Sequence, residues 1–302
     1  MIGTNEERLV RTSALAEVQP QASQRNPYNV SQEGEVSCVP APGGIVYNVR
    51  TGDSAYGWVA DHLEPGASVY NPKDEENNAL QFLVCVGNEA RVVSGEAKGE
   101  TGLVVGTHAC GDYFASAHFD RARVIVDFPW EILEKLVYGD KVLIRLVGKG
   151  LAFTDYPAIK TDSISPRLVE AMGLEDGPGG KLRVPVVARV PPALMGSGVG
   201  FSAEFGDYDI MSGDREALAE NGLDELRLGD FVAIMDHDAR YGRSYRRGAA
   251  TIGVVVHGDC RLAGHGPGVS PLFTAVEPVI EPVIDTDANL AVVLSLREDW
   301  EA

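Results

Sequence analysis

No apolar run in this 302-residue chain approaches the ~18 residues that read as a membrane-spanning helix, so none is expected. The opening residues, MIGTNEERLVRTSALAEVQPQ, carry acids and no apolar stretch, and do not read as a secretion signal. Cysteine is scarce. Cys38, Cys85, Cys110 and Cys260 stand far apart and form no CxxC pair, as expected for reduced thiols in a cytoplasmic protein. Basic residues are outnumbered: 26 Lys+Arg against 44 Asp+Glu give a formal net charge of -18. That argues against a nucleic-acid partner, which would call for a basic face. Familiar catalytic signatures are missing too: HExxH, the GxSxG elbow, the Walker loop and the kinase set. The segment Gly196–Gly200, GSGVG, has Phe201 where a dinucleotide loop needs its third glycine, and it follows Pro191 and Pro192 rather than a strand. No nucleotide cofactor is expected.

What the chain has is glycine, 34 residues, and 17 prolines. They punctuate short runs rich in Val and Ile: QFLVCV, TGLVV, ARVIVDF, DKVLIRLV, LRVPVVARV, DFVAIM, ATIGVVV and LAVVLSL. Runs of this length bounded by Gly, Pro and Asp read as strands, many buried on both faces. Three short helices are expected, in Pro129–Leu136, in Pro166–Met172 with Ser165 as N-cap, and in Asp214–Ala219. The fold class is therefore mainly β with a few short helices (α+β). An internal echo points to two related barrel-like or sandwich-like units. LEKLVYGDKVLI at 133–144 and LDELRLGDFVAI at 223–234 share L-[DE]-x-L-x-x-G-D-x-V-x-I, through either duplication or convergence. The polar stretch around Pro157 and Pro166 sets the join near residue 160. This gives a polar arm at 1–30, an N-terminal β domain at 31–160 and a C-terminal β domain at 161–302. With few helices to cover strand edges, a homo-oligomer is expected.

Four segments combine dense glycine with His and Asp: 43–62, 86–110, 195–210 and 236–268. Glycine there serves either close backbone approach to a ligand or tight barrel corners. Their pieces, GGIVYNV, GDSAYGW, DHLEPG, GNEARVVSGEAKG, MGSG, GDYDI, YGRSY, TIGVVVHGD and AGHGPGV, occur in an order that resembles the prokaryotic domain of unknown function 4438 family over roughly residues 33 to 275. The resemblance implies no particular reaction. The chain departs from the family pattern after His108, where ACGDYFASA stands before His118.

Histidine titrates near neutrality, so the histidines are the natural acid-base candidates. His265 sits in the AGHGPG loop, His257 ends the strand before it, and His108 ends TGLVVGTH. His62 follows Asp61 beside a Pro-Gly turn, whereas His118 and His237 read as surface or loop residues. Asp207 and Asp209 lie two apart, on one face of an extended segment. Packed together they would form an acid and a base, or ligate a hard cation with His265 or His108. Arg243, Arg246 and Arg247 form a basic cluster that with Arg240 and Tyr245 could clamp an anion, or could neutralise Asp236 and Asp238. The expected catalytic set is His265, His108, Asp207, Asp209 and His257, with Arg243, Tyr245, Arg246 and His62 binding substrate. The resulting expectation is a hydrolase or lyase acting on a small anionic metabolite by His/Asp acid-base chemistry, with room for a divalent metal. The alternative is a non-catalytic metabolite-binding or assembly protein that uses the same loops.

Overall fold

A computed structural model describes residues 2–21, 29–40, 42–109, 122–298 and 300 of the chain. Cys110 and His118 lie outside the described residues. The fold is mainly β. Six strands close an antiparallel barrel: β1 (Thr12–Val18), β2 (Ala67–Tyr70), β3 (Glu89–Val92), β4 (Thr101–His108), β5 (Arg123–Asp127) and β6 (Lys141–Leu146). Their order around the barrel is β1-β2-β5-β4-β3-β6. Alternation fills it: in β6, Val142, Ile144 and Leu146 are buried while Lys141, Leu143 and Arg145 face outward to differing degrees.

A second, open sheet follows. It is built from β7 (Lys160–Thr161), β8 (Ala188–Val190), β9 (Tyr208–Asp209), β10 (Phe231–Asp238), β11 (Ser244–His257) and β12 (Gly268–Ala275). The order is β8-β10-β11-β12-β9, with β7 also pairing β12. A small three-stranded sheet joins Glu175–Asp176, Leu182–Val186 and Ile280–Ile284. The two main sheets share a core in which Leu103, Val105 and Ile125 of the barrel pack in one cluster with Ile252, Val254, Val256 and Phe273. Among the described residues no helix is long and apolar enough to cross a membrane.

Five short α-helices occur among the described residues. Two match expectation closely. Pro166–Ala171 (α3) is capped by Ser165, whose side chain accepts from the Leu168 N–H at 3.2 Å. Arg215–Glu220 (α4) is capped by Asp214. The helix expected in Pro129–Leu136 is reduced to α2, Trp130–Leu133. Two apolar runs read as strands are helical instead. QFLVCV begins inside α1 (Asp74–Leu83), which opens on Asp74, Glu75 and Glu76, acids that suit a helix N-terminus. LAVVLSL opens with α5 (Leu290–Val293), where the Asn289 side chain accepts from the Ala291 N–H. In both, flanking polar residues decide over the apolar run, as capping allows.

The echoed segments fold alike. Gly139 and Gly229 both take positive φ, +87° and +90°. Asp140 Oδ2 accepts from the Val137 N–H at 3.0 Å, and Asp230 Oδ2 from the Arg227 N–H at 2.7 Å, the same three-residue reach. The strands that follow bury Val142 and Ile144 in one copy, and Val232 and Ile234 in the other.

Candidate functional site

Two strands deliver histidines to the seam between barrel and open sheet. In β4 a bulge between Val104 and Gly106 changes the facing of the strand. Val104 fills the barrel, whereas His108, four residues on, faces the other sheet. Gly106 permits the approach, because a Cβ there would strike the Val256 side chain. In β11 a second bulge lies between Val255 and His257. The rings of His108 and His257 come to 4.3 Å between centroids. His62 joins them from the loop before β2, at 5.6 Å from His108 and 4.9 Å from His257. Its φ of +51° is a left-handed conformation that costs a non-glycine residue energy. His265, in the loop before β12, makes the fourth ring, with Nδ1 3.2 Å from His62 Nε2.

The carboxylates are placed to match. β9 pairs with the start of β12. Asp207 Oδ2 lies 2.7 Å from His257 Nε2, and Asp207 Oδ1 lies 4.0 Å from His108 Nε2. Asp209 Oδ1 lies 3.4 Å from His257 Nε2, and Asp209 Oδ2 lies 3.2 Å from His265 Nδ1. Gly268 leaves the room for this, since a Cβ there would strike both Asp207 and His257. Five of the expected residues (His108, His257, His265, Asp207 and Asp209) thus form one cluster with His62.

Three rings are anchored through Nδ1. His108 Nδ1 bonds Glu64, His257 Nδ1 donates to the Gly258 carbonyl at 2.8 Å, and His62 Nδ1 lies 3.1 Å from Asp61 Oδ1. Glu64, Asp61 and Arg123 were not foreseen. Glu64 is buried under His108, accepts from Ser68 Oγ and the Gly43 N–H, and lies 3.4 Å from Arg123 Nη1. Its place within DHLEPG, two residues after His62, was the available signal.

Burial and charge act against each other here. Burial favours a protonated Glu64, but Arg123 and His108 outweigh it and hold the carboxyl near pKa 2. Burial likewise opposes charge on His257, yet Asp207 and Asp209 push its pKa up to about 9. For His108 burial wins, and its pKa is lowered. Asp207 is held well below the carboxylate range, because His108 and His257 overcome its burial. His265 is raised, Asp209 outweighing burial.

The expected anion clamp is divided. Arg243 is buried, with Nη2 donating to the Ser202 carbonyl at 3.1 Å and its guanidinium 5.7 Å from the Tyr208 ring. It provides charge beside Asp207 and Asp209. Tyr245 and Arg246 lie on the exposed start of β11, where Arg246 stands 3.7 Å from Asp238 Oδ2. Arg240 also binds Asp238, which supports the neutralising alternative for the outer arginines. His237, read as a surface or loop residue, is instead a buried strand residue, edge-on to Tyr208 at 5.2 Å. The alternation of β10 is broken by a bulge between Met235 and His237, which the sequence pattern does not announce.

Residues 28–170 match the N-terminal domain of unknown function DUF4438, and residues 171–294 match its C-terminal domain. The chain belongs to the DUF4438 family. It is similar to the crystal structure of TM1086, with 46% identity, a TM-score of 0.88, and coverage of 96% of this chain and 98% of that one. No curated protein matches this DUF4438 chain.

Proposed function

We propose that this protein is a metal-dependent enzyme of the hydrolase or lyase type, acting on a small anionic metabolite in the cytoplasm. The observation that carries the reading is the anchoring of three histidine rings by Nδ1 beside a pair of aspartates. Metal-ligating histidines characteristically give their second ring nitrogen to a carboxylate or carbonyl, which fixes tautomer and orientation. The donor atoms of His62, His108 and His257 lie within 4.8 Å of one another, as do those of Asp207, Asp209 and His257. The inner ligands on this reading would be His108 Nε2, His257 Nε2, Asp207 and Asp209.

Charge points the same way. Four carboxylates with buried side chains (Asp61, Glu64, Asp207 and Asp209) face two buried guanidiniums, Arg123 and Arg243. Among the described residues carboxylates thus outnumber guanidiniums, a balance that favours a cation in the cluster, either a proton on His257 or a metal ion. Such an ion supplies Lewis-acid polarisation of a substrate oxygen. His265 is the outward ring of the cluster, with its side chain 29% exposed. Paired with Asp209, it carries protons between substrate and solvent. The non-catalytic alternative predicts binding without turnover. The expectation of a homo-oligomer stands beside this reading, and light scattering checks it.

The test is elemental analysis of the purified protein, followed by a turnover screen of anionic esters, amides and hydroxy acids with and without added Mn2+, Zn2+ or Co2+. His257→Ala is expected to lose the metal and to lower turnover ~10²–10⁴-fold or more, in line with loss of acid-base and metal assistance. A protein that binds no divalent ion and turns over nothing in the screen would overturn the reading.

A further inference from the structure

We infer that a second, thiophilic cation is held beside the first by His62, His265 and Cys260. This rests on the metal-centre reading above and extends it to a two-ion site. The donor atoms of these three residues lie within 4.8 Å of one another. His62 Nδ1 lies 3.1 Å from Asp61 Oδ1, and on the other side of the ring Nε2 stands 3.2 Å from His265 Nδ1, which is itself 3.2 Å from Asp209 Oδ2. Two imidazole nitrogens and a carboxylate oxygen thus converge, a donor set that suits a cation. Bonds of ~2.0–2.3 Å around a tetrahedral ion set neighbouring donors ~3.3–3.8 Å apart, close to the 3.2 Å between His62 Nε2 and His265 Nδ1.

Cys260 supplies the selectivity. It is buried, in no disulfide, and its Sγ accepts from the Leu262 N–H at 3.4 Å, while burial and a hydrogen bond to Asp61 hold its thiol protonated, so an ion there takes the place of the thiol proton. Cysteine and two imidazoles favour zinc-like ions over magnesium or calcium. Cys260 and His265 lie five apart on one loop, which turns at Gly264 with φ +81°. Asp209 spans the two positions, with Oδ1 toward His257 and Oδ2 toward His265. Asp209 Oδ1 is buried and takes no hydrogen bond among the described residues, which suits a carboxylate set between two ions. His62 reaches either position; with both filled it serves the outer one, and the inner keeps His108, His257, Asp207 and Asp209. The outer ion takes the place of the proton shared by His265 and Asp209, so that pair carries protons only while the position is empty and is a ligand pair once it is filled.

The experiment strips the full chain with chelator, reloads it with Co2+, and measures bound cobalt together with the thiolate-to-cobalt absorption. Wild type is expected to bind two ions per chain and show the thiolate band. Cys260→Ser and the more exposed His265→Ala should each bind one ion and lose the band, with unchanged circular dichroism. A single ion without a thiolate band in wild type overturns the second site and leaves the inner one standing. A single ion with the band keeps the outer site and removes the inner one. No bound ion overturns both.

Discussion

Gly268 has no side chain because Asp207 and His257 occupy the space one would fill. Gly268→Ala must therefore push that pair apart while leaving the surface untouched. Loss of a well-oriented metal site typically costs ~10–100-fold in affinity, and isothermal titration with Zn2+ should show a loss of that order with the fold retained. Asp162 makes a separate case. Burial pushes its carboxyl up to about 6 from 3.8, against the pull of Lys160, whose Nζ lies 3.3 Å away. The folded state then binds the proton more tightly than the unfolded chain, so Asp162 lowers stability as pH rises from about 4 to about 6, and the penalty is full above that range. Asp162→Asn should raise stability at pH 8 by ~1–3 kcal/mol, from ~1.4 kcal/mol per pKa unit, and change little at pH 4. Urea denaturation at the two pH values checks both sign and window. At this scale the candidate ligands were legible, because His and Asp beside glycine are visible as residue types. Arg123 was not, because its place opposite His108 on the next strand is a matter of register, and Glu64 was overlooked although it stands two residues after His62.

Bulges decide what the strands present. Without the shift between Val104 and Gly106, strict alternation would return His108 to the face that lines the barrel. Apolar runs announce strands such as β4, β5 and β11, but a bulge has no periodic signature, so the facing of His108 and of His237 could not be read. The helices α1 and α5 were missed for a related reason: a short apolar run is silent on period, and the deciding residues lie outside it. The paired Gly-Asp turns were legible and offer a symmetric test. Asp140→Ala removes the acceptor for the Val137 N–H, and Asp230→Ala that for the Arg227 N–H. Each should cost ~0.5–1.5 kcal/mol, the net worth of a part-buried turn hydrogen bond, measurable by urea denaturation. Asp230 is the less clear-cut of the two, because burial raises its pKa to about 6 and part of its carboxylate's worth is already offset. Asp230→Asn keeps an acceptor and should recover most of the loss.

At the scale of the molecule, one core spans both sheets: Val105 and Ile125 share a cluster with Val254 and Val256. The two family domains meet at residues 170 and 171, yet neither owns the seam. Calorimetry of the whole chain should show one cooperative transition, since separating the halves would expose apolar surface on both. The ions proposed above would add to this. At a free concentration of 100 times the dissociation constant, one site contributes ~2.7 kcal/mol. Chelator should therefore lower Tm, and His108→Ala should make Tm less sensitive to chelator. The mainly β class was legible because it rests on many short runs taken together. Which loops meet was not, because His62 and His265 are 203 residues apart and no local rule joins them.

The like-folded Gly-Asp turns and the unlike histidines carry a historical consequence. If both halves descend from one ancestral unit, the cluster cannot be part of the inheritance. His62 and His108 come from one half, Asp207, Asp209, His257 and His265 from the other, and neither half holds the whole set. On that descent the site is younger than the fold, and arose only once two copies shared a chain.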